Sequence, residues 1–263
     1  MKQAMIFAAG LGTRLKPLTD TMPKALVKVG GEPLLWHVVM KLKAAGFERI
    51  VVNVHHFADQ IEDYIKANNG FGLDIRISDE RKQLLETGGG IKAARALFDP
   101  ENPILIHNVD ILSNVDVSRL YDSASEADAT LLVSPRVTKR YLLFDEDMRL
   151  NGWKNIETGE QKGPCTAVNP QMYAFSGIHG FSPRLFPLMD EWPERFGIID
   201  FYLKACAVSR ISGYLQDDLH LLDVGKLDSL HEAERFLSAV MSEHRNSGIT
   251  EHRNNGITKI VKF

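Results

Sequence analysis

Apolar runs alternate with helix-spaced polar segments through the first half of the chain. Ala4–Ala8 reads as a strand apolar on both faces, which suits the middle of a layered sheet. Pro33–Ala45, "PLLWHVVMKLKAA", has helical periodicity, with Pro33 in the first turn and Gly46 just past the end. Ile50–Val54 is a β-branched strand, and Ala58–Lys66 a helix with Ile61 and Ile65 on one face. The same reading predicts strands at Asp74–Ser78, Ile104–His107 and Thr130–Val133, and helices at Ile91–Phe98 and Asp116–Ala124. Strands alternating with helices imply βαβ units, a mostly parallel sheet and right-handed crossovers.

The second half reads differently. Apolar runs on either side of Asp145–Asp147 predict a β-hairpin, and the polar, glycine-containing stretch Asn155–Asn169 predicts a mobile loop. Met172–Phe181 is a strand running into Ser182-Pro183, an N-cap followed by a first-turn proline. A helix at Ile198–Val208, strands at Gly213–Gln216 and His220–Leu222, and an amphipathic helix at Leu227–Met241 follow. The end carries a duplication, "EHRNSGIT" then "EHRNNGIT" (Glu243–Thr250 and Glu251–Thr258). Two copies are too few for a solenoid, so residues 242–263 read as an extension beyond a single domain over 1–241.

Composition narrows the function classes. With 44% hydrophobic and 25% charged residues, the 263-residue chain can bury a sizeable core. A net charge of −3 provides no global field for nucleic acid or an anionic membrane, so any phosphate binding must be local. Cys165 and Cys206 have no metal-ligand spacing and are too few for a disulfide scaffold. No apolar stretch is long enough to span a membrane, and the start lacks a signal-peptide core, so the reading is a soluble, cytoplasmic protein. Oligomeric state is left open, a homo-oligomer included.

The candidate chemistry begins behind the first strand, in "FAAGLGTRLKPLTDTMPKAL" (Phe7–Leu26). A glycine-rich turn exposes backbone N–H groups to an anion, Arg14 adds a planar fork for phosphate oxygens, and Lys24 adds a point charge. The plainer alternative is a tight turn at Gly10 and Gly12 with Arg14 as a solvated charge. Two better-known phosphate motifs fail. A dinucleotide fingerprint needs a third glycine where Leu15 stands, and no glycine is followed by the Lys-Ser/Thr pair of a P-loop.

Two acids end apolar runs in the same manner, Asp110 in "PILIHNVD" and Asp223 in "HLLDVG". In open α/β sheets ligands bind beyond the carboxyl ends of strands, and magnesium takes one or two carboxylates plus substrate phosphates. Either aspartate could instead cap the following turn or helix. Their shared position, together with the glycine-arginine loop, favours a metal site.

The stretch "AAGLGTRLKPLTDTMPKALVKVGGEPLL" resembles the signature of the sugar-1-phosphate nucleotidyltransferases, G-x-G-T-R followed by P-L-T and P-K-x-L. The likeness continues in family order through "LLETGGGI", "HNVD", "FSGI" and "LDVGK" and covers roughly residues 3 to 240. It implies a Rossmann-like, doubly wound α/β fold, with a mostly parallel mixed sheet and helices on both faces. By the same resemblance Ala8, Ala9, Gly10, Gly12 and Thr13 would line base and phosphates. Arg14 would hold the departing pyrophosphate, and Lys24 would bridge phosphates at the reacting centre. Glu86 and Gly88 fall where relatives contact the base, Asn108 and Gly177 where they contact the sugar, and Asp110 and Asp223 match the magnesium pair. Lys154, in "GWKN", is the candidate for a sugar-pocket lysine.

The implied reaction is attack by a sugar 1-phosphate on a nucleoside triphosphate, with Mg2+ as cofactor. Positioning and charge neutralisation would carry it, and the nine histidines, His55, His56 and His107 among them, need no catalytic part. No hexapeptide-repeat β-helix is present. Within the family the compact chain is most similar to the short bacterial N-acetylmuramate 1-phosphate uridylyltransferases, and UTP is the expected donor. The alternatives are a GTP-using mannose- or heptose-1-phosphate guanylyltransferase and a non-catalytic sugar-nucleotide sensor. A further alternative is a choline-phosphate cytidylyltransferase with Trp153, Tyr173 and Tyr202 as an aromatic cage.

Overall fold

The computed structural model describes residues 1–238; the tandem octapeptide, the 242–263 extension and the end of the predicted last helix lie outside them. The chain runs β1 (Lys2–Phe7), a loop of three short 3-10 turns, a small hairpin β2 (Lys28–Val29) and β3 (Glu32–Pro33), α1 (Leu34–Ala44) and β4 (Phe47–Val54). It continues through α2 (Ala58–Ala67), β5 (Asp74–Asp79), α3 (Glu86–Ala93), β6 (Ile104–Asn108), β7 (Ile111–Ser113) and α4 (Val117–Ser123). Then come β8 (Ala129–Ser134), β9 (Arg140–Phe144), β10 (Leu150–Asn155), β11 (Gln161–Lys162) and β12 (Gln171–Phe181). The described part closes with α5 (Phe186–Met189), α6 (Ile198–Ala205), β13 (Ile211–Tyr214), β14 (Leu221–Asp223) and a helix over 228–238, α7. Among the described residues no helix is long and apolar enough to cross a membrane.

Strand alternation explains the layers. Along β1, Ala4 and Ile6 enter one core while Met5 enters the other; along β4, Ile50, Val52 and Val54 oppose Val51. One face is closed by α1, α2 and α4 through Leu35, Ile61 and Leu120. The other is closed by α3, α5 and α6 through Ile91, Phe186 and Phe201. Each such side chain contributes roughly 1.5–3 kcal/mol by leaving water, so both faces of the sheet are covered, as the α/β reading requires.

The sheet has ten strands and two halves. β5, β4, β1 and β6 are parallel, whereas β12 runs antiparallel to β6 and leads on to β9, β10 and β11. β8 pairs with β12 and with β13. The register of β12 shifts between Phe175 and His179, around Gly177 at φ 75°. Beyond that kink the amino-terminal part of β12 leaves β6 and pairs with β9. It therefore projects past the carboxyl end of the parallel half.

Two predicted segments differ. The helix expected at Ile91–Phe98 begins at Glu86 instead and gives way to a 3-10 turn at Arg95–Leu97. Three glycines lower helix propensity, but here they let α3 pack against backbone. A Cβ on Gly88 would stand 2.3 Å from the Phe196 ring, and one on Gly89 2.1 Å from the Glu194 carbonyl. Within the stretch expected to be a loop, Gln161–Lys162 forms β11 against β10.

Candidate active site

A cavity of about 340 Å3 opens at the carboxyl ends of β1 and β6. Register places Phe7 level with Asn53 on β4 and with Asn108 on β6, so three strand ends meet there. The loop after β1 supplies Ala8, Ala9, Gly10, Gly12, Thr13 and Arg14, and the turn after β6 supplies Asp110. Lys24 and Glu86 also line it. Ten of the residues singled out in the sequence thus share one cavity.

The loop folds back on itself: the Thr19 hydroxyl donates to the Gly12 carbonyl at 2.8 Å, as does the Leu15 N–H at 2.9 Å. This return brings Lys24, largely buried, against Asp110, with which it forms an ion pair. The N–H groups of Ala8 and Ala9 do not face a ligand. Both donate to the Asn53 side-chain oxygen, at 2.7 and 3.2 Å. Among the described residues the N–H groups of Gly10, Leu11 and Gly12 have no protein acceptor, so the part of the loop whose N–H groups are open to an anion starts at Gly10.

Asn53 is in turn held by Glu80, whose carboxylate accepts from Asn53 Nδ2 at 2.8 Å and from the Leu85 N–H at 3.0 Å. Burial raises the Glu80 pKa, and the hydrogen bonds from Leu85 and Asn53 oppose the rise. Asn53 and Glu80 escaped the sequence reading because neither belongs to a motif. Their only signal is a polar residue near a strand end, which many structural asparagines and glutamates share.

The two aspartates come from distant parts of the chain to adjoining backbone. β14 pairs antiparallel with β7, placing Asp223 opposite Ile111, and the Val224 N–H donates to the Asp110 carbonyl at 2.8 Å. A Cβ on Gly225 would lie 2.6 Å from Asp223 Oδ1 and 2.7 Å from Arg14 Nη2, so the absent side chain leaves carboxylate and guanidinium flanking one gap at the cavity wall. Asp223 itself does not line the cavity; Gly225 does. Among the described residues no group of three or more His, Cys, Asp or Glu side chains could hold a metal by itself. Two carboxylates beside open space suit magnesium, which fills its remaining positions with water and substrate oxygens.

Other predicted positions fall elsewhere. Gly88 is buried beneath Phe196, whose carbonyl accepts its N–H at 2.9 Å, so it serves packing and is not part of the cavity wall. Glu86 lines the cavity, but its carboxylate is paired with Arg195 at 2.9 Å, and its φ of 62° is rare for a residue with a side chain. Gly177 abuts Asn108: a Cβ there would stand 2.8 Å from Asn108 Nδ2, so its glycine leaves room for that amide.

Lys154 pairs with Tyr141 and Gln161, between Trp153 and Asn155. Those two neighbours line a second cavity, of about 450 Å3, so strand alternation points Lys154 to the opposite face. The proposed aromatic cage does not form as a set of three, because Tyr202 is fully buried against His179, while Trp153 lies beneath Lys162 at 5.4 Å. His107 is buried, with its pKa lowered by burial to about 4, which keeps it neutral and suits packing.

Comparison with known proteins agrees with this architecture. Residues 3–144 match the family model described as nucleotidyl transferase. The N-acetylmuramate alpha-1-phosphate uridylyltransferase of Caulobacter vibrioides is 54% identical over 41% of this chain and 46% of its own. The protein of the same name from Neisseria meningitidis serogroup B is 32% identical over 90% of this chain and 99% of its own. In fold, the crystal structure of HddC from Yersinia pseudotuberculosis complexed with GMP-PN superposes with a TM-score of 0.72 at 23% identity, covering 90% of this chain and 100% of that one. With a glycine-arginine loop, a buried lysine and paired aspartates gathered at the ends of a mixed α/β sheet, the chain belongs to the nucleotidyl transferase family, among the enzymes that act on sugar 1-phosphates.

Proposed function

We propose that the chain transfers a uridylyl group from UTP to N-acetylmuramate 1-phosphate, releasing pyrophosphate, with magnesium as cofactor. The observation that carries nucleotidyl transfer is the meeting of Arg14, Lys24 and Asp110 in one cavity behind unpaired loop N–H groups. The choice of uridine and of N-acetylmuramate rests on the names of the two curated relatives.

In this reading a phosphate oxygen of the sugar 1-phosphate attacks the α-phosphorus, the new P–O bond forms, and the bond to the β-phosphate oxygen breaks. Both reactants are anions, so the protein must first offset their repulsion. The N–H groups from Gly10 to Gly12 and the Arg14 fork hold the triphosphate, with Arg14 on the end that leaves. Lys24 enters already neutralised by Asp110, and an arriving phosphate offers it a second anionic partner at the reacting centre. Asp110 and Asp223 would hold the magnesium, which would supply further positive charge for the phosphates. The attacking phosphate is ionised at neutral pH, so no general base is needed. The neutral, buried His107 fits that economy. Asn53 and Glu80 keep the loop in place before substrate arrives, so the site is preorganised.

The test is pyrophosphate release from a panel of nucleoside triphosphates against sugar 1-phosphates, with Asp110→Ala beside the native chain. Turnover is expected with UTP and N-acetylmuramate 1-phosphate, and loss of turnover with retained UTP binding in the variant. Turnover with no pair in magnesium rejects the reading. A preference for GTP moves the chain to the guanylyltransferases.

A further inference from the structure

The second cavity has a composition that the nucleotide chemistry does not explain. Its floor is apolar, from Leu142, Trp153 and Phe175, and α6 forms one wall through Ile199 and Leu203. Register explains how the floor forms. Leu142 pairs with Trp153, Trp153 pairs with Lys162, and Arg140 pairs with Asn155, so one face of the β9–β10–β11 sheet carries them all. An aromatic floor under a ring of polar groups suits a sugar ring with its substituents.

Its charges are unequal. Lys162 is engaged by Asp200 at 3.4 Å and by Glu160 at 3.8 Å, so it is fully paired and those three leave one net negative charge, which two arginines outweigh. Arg136 and Arg140 line the same cavity, and among the described residues neither has a carboxylate within ion-pair distance. Arg136 is aimed by a hydrogen bond from its Nη2 to the Phe175 carbonyl at 2.9 Å. Two guanidinium groups facing one cavity without an acid partner are an arrangement suited to a carboxylate.

The two cavities adjoin. Phe175 of the second lies two residues before Gly177, which abuts Asn108 of the first. On the other side, a Cβ on Gly197 would stand 3.4 Å from Asp200 Oδ2 and 3.9 Å from Glu86 Oε2, one carboxylate from each cavity. A sugar whose 1-phosphate sits near Lys24 and Asp110 would extend past Asn108 in this direction.

We infer that the second cavity reads an acidic substituent on the sugar, and that Arg136 and Arg140 are the specificity residues that bind its carboxylate. This rests on the uridylyltransferase reading above, which already names N-acetylmuramate, and adds to it the residues that recognise the carboxylate of that sugar's ether-linked lactyl group. N-acetylglucosamine 1-phosphate is the same sugar without that group and serves as the neutral control.

The experiment measures kcat and KM with saturating UTP for both sugar 1-phosphates, on the native chain, Arg136→Gln, Arg140→Gln and the double variant. The native chain is expected to favour the acidic sugar by about 100-fold in kcat/KM. Each single variant should lower that ratio about tenfold, and the double variant should nearly abolish it, with the loss in KM for the acidic sugar. Arg140→Lys should recover part of the ratio, since it keeps the charge but not the fork. Both arginines are exposed, so the variants should melt with the native chain, and a melting curve checks this. A ratio unmoved in the double variant overturns the assignment. Equal use of both sugars by the native chain also overturns it while leaving uridylyl transfer standing. Absence of turnover with either sugar rejects the underlying reading, and this inference with it.

Discussion

The glycine-loop cavity has the loop behind β1, held down by buried groups, as one continuous wall, completed by the ends of β4 and β6, whereas the second cavity borrows side chains from β9, β10, β11, β12 and α6 with no such continuous wall. In the first, Asn53 and Glu80, both 2% exposed, fix two loop N–H groups from below. In the second, Arg136 and Arg140 are exposed and have few protein partners. A part that handles the same triphosphate in every turnover benefits from rigidity. A part that distinguishes one sugar from another can be altered at an exposed side chain without disturbing the core. On the function proposed above, the contrast is between preorganised chemistry and adjustable selection.

Perturbing the first cavity should be costly whichever sugar is offered. Arg14→Ala is expected to lower kcat/KM about 100- to 1,000-fold for every sugar 1-phosphate, measured by pyrophosphate release. A loss confined to one sugar would erase the division between the cavities. Asn53→Ala leaves the Ala8 and Ala9 N–H groups and one Glu80 oxygen unpaired. It should cost about 3 kcal/mol in denaturant unfolding and raise the UTP KM while leaving the ratio between sugars alone.

The acid limit of stability should come from the core. His107 is held at about 4 by burial, below its ordinary 6.5, so its contribution is present above pH 6.5 and is lost as pH falls toward 4. The His107 share is about 3 kcal/mol, and His179, lowered by burial to about 3, adds to it; urea unfolding across that range reads both, and a flat profile would refute the prediction. Gly89→Ala should destabilise by roughly 1–3 kcal/mol in a thermal melt, because the new methyl meets the Glu194 carbonyl and α3 must shift. Lys154→Ala is the smallest effect: less than a twofold change in KM for any sugar 1-phosphate, since its side chain lies on the far face of β10. A large rise in that KM would return the lysine to the sugar pocket.

What was legible in the sequence follows the same division. The loop from Ala8 to Lys24 could be read because its chemistry is contiguous: backbone N–H groups, an arginine and a lysine needed only a turn to bring them together. Asp110 could be read because an acid at the end of an apolar run sits where an α/β sheet opens to solvent. Gly88, assigned to the base by resemblance, packs on Phe196 instead, and the sequence does not tell the two apart because a glycine run looks alike whether a ligand or the chain itself comes close. The direction of Lys154 could not be read because the face that a strand residue occupies depends on register with its neighbours, here β9 and β11, which a single strand does not encode.

The sequence by itself determined the layered α/β class and the glycine-arginine loop behind β1, because hydrophobic period and local turn chemistry act over a few residues. Only the tertiary structure decided that β14 would bring Asp223 beside Asp110, and that a kink at Gly177 would carry β12 past the sheet's end. It also decided that Asn53 and Glu80 would anchor the loop. Those contacts join residues far apart in the chain, and their energy depends on burial and geometry that exist only once both cores have formed.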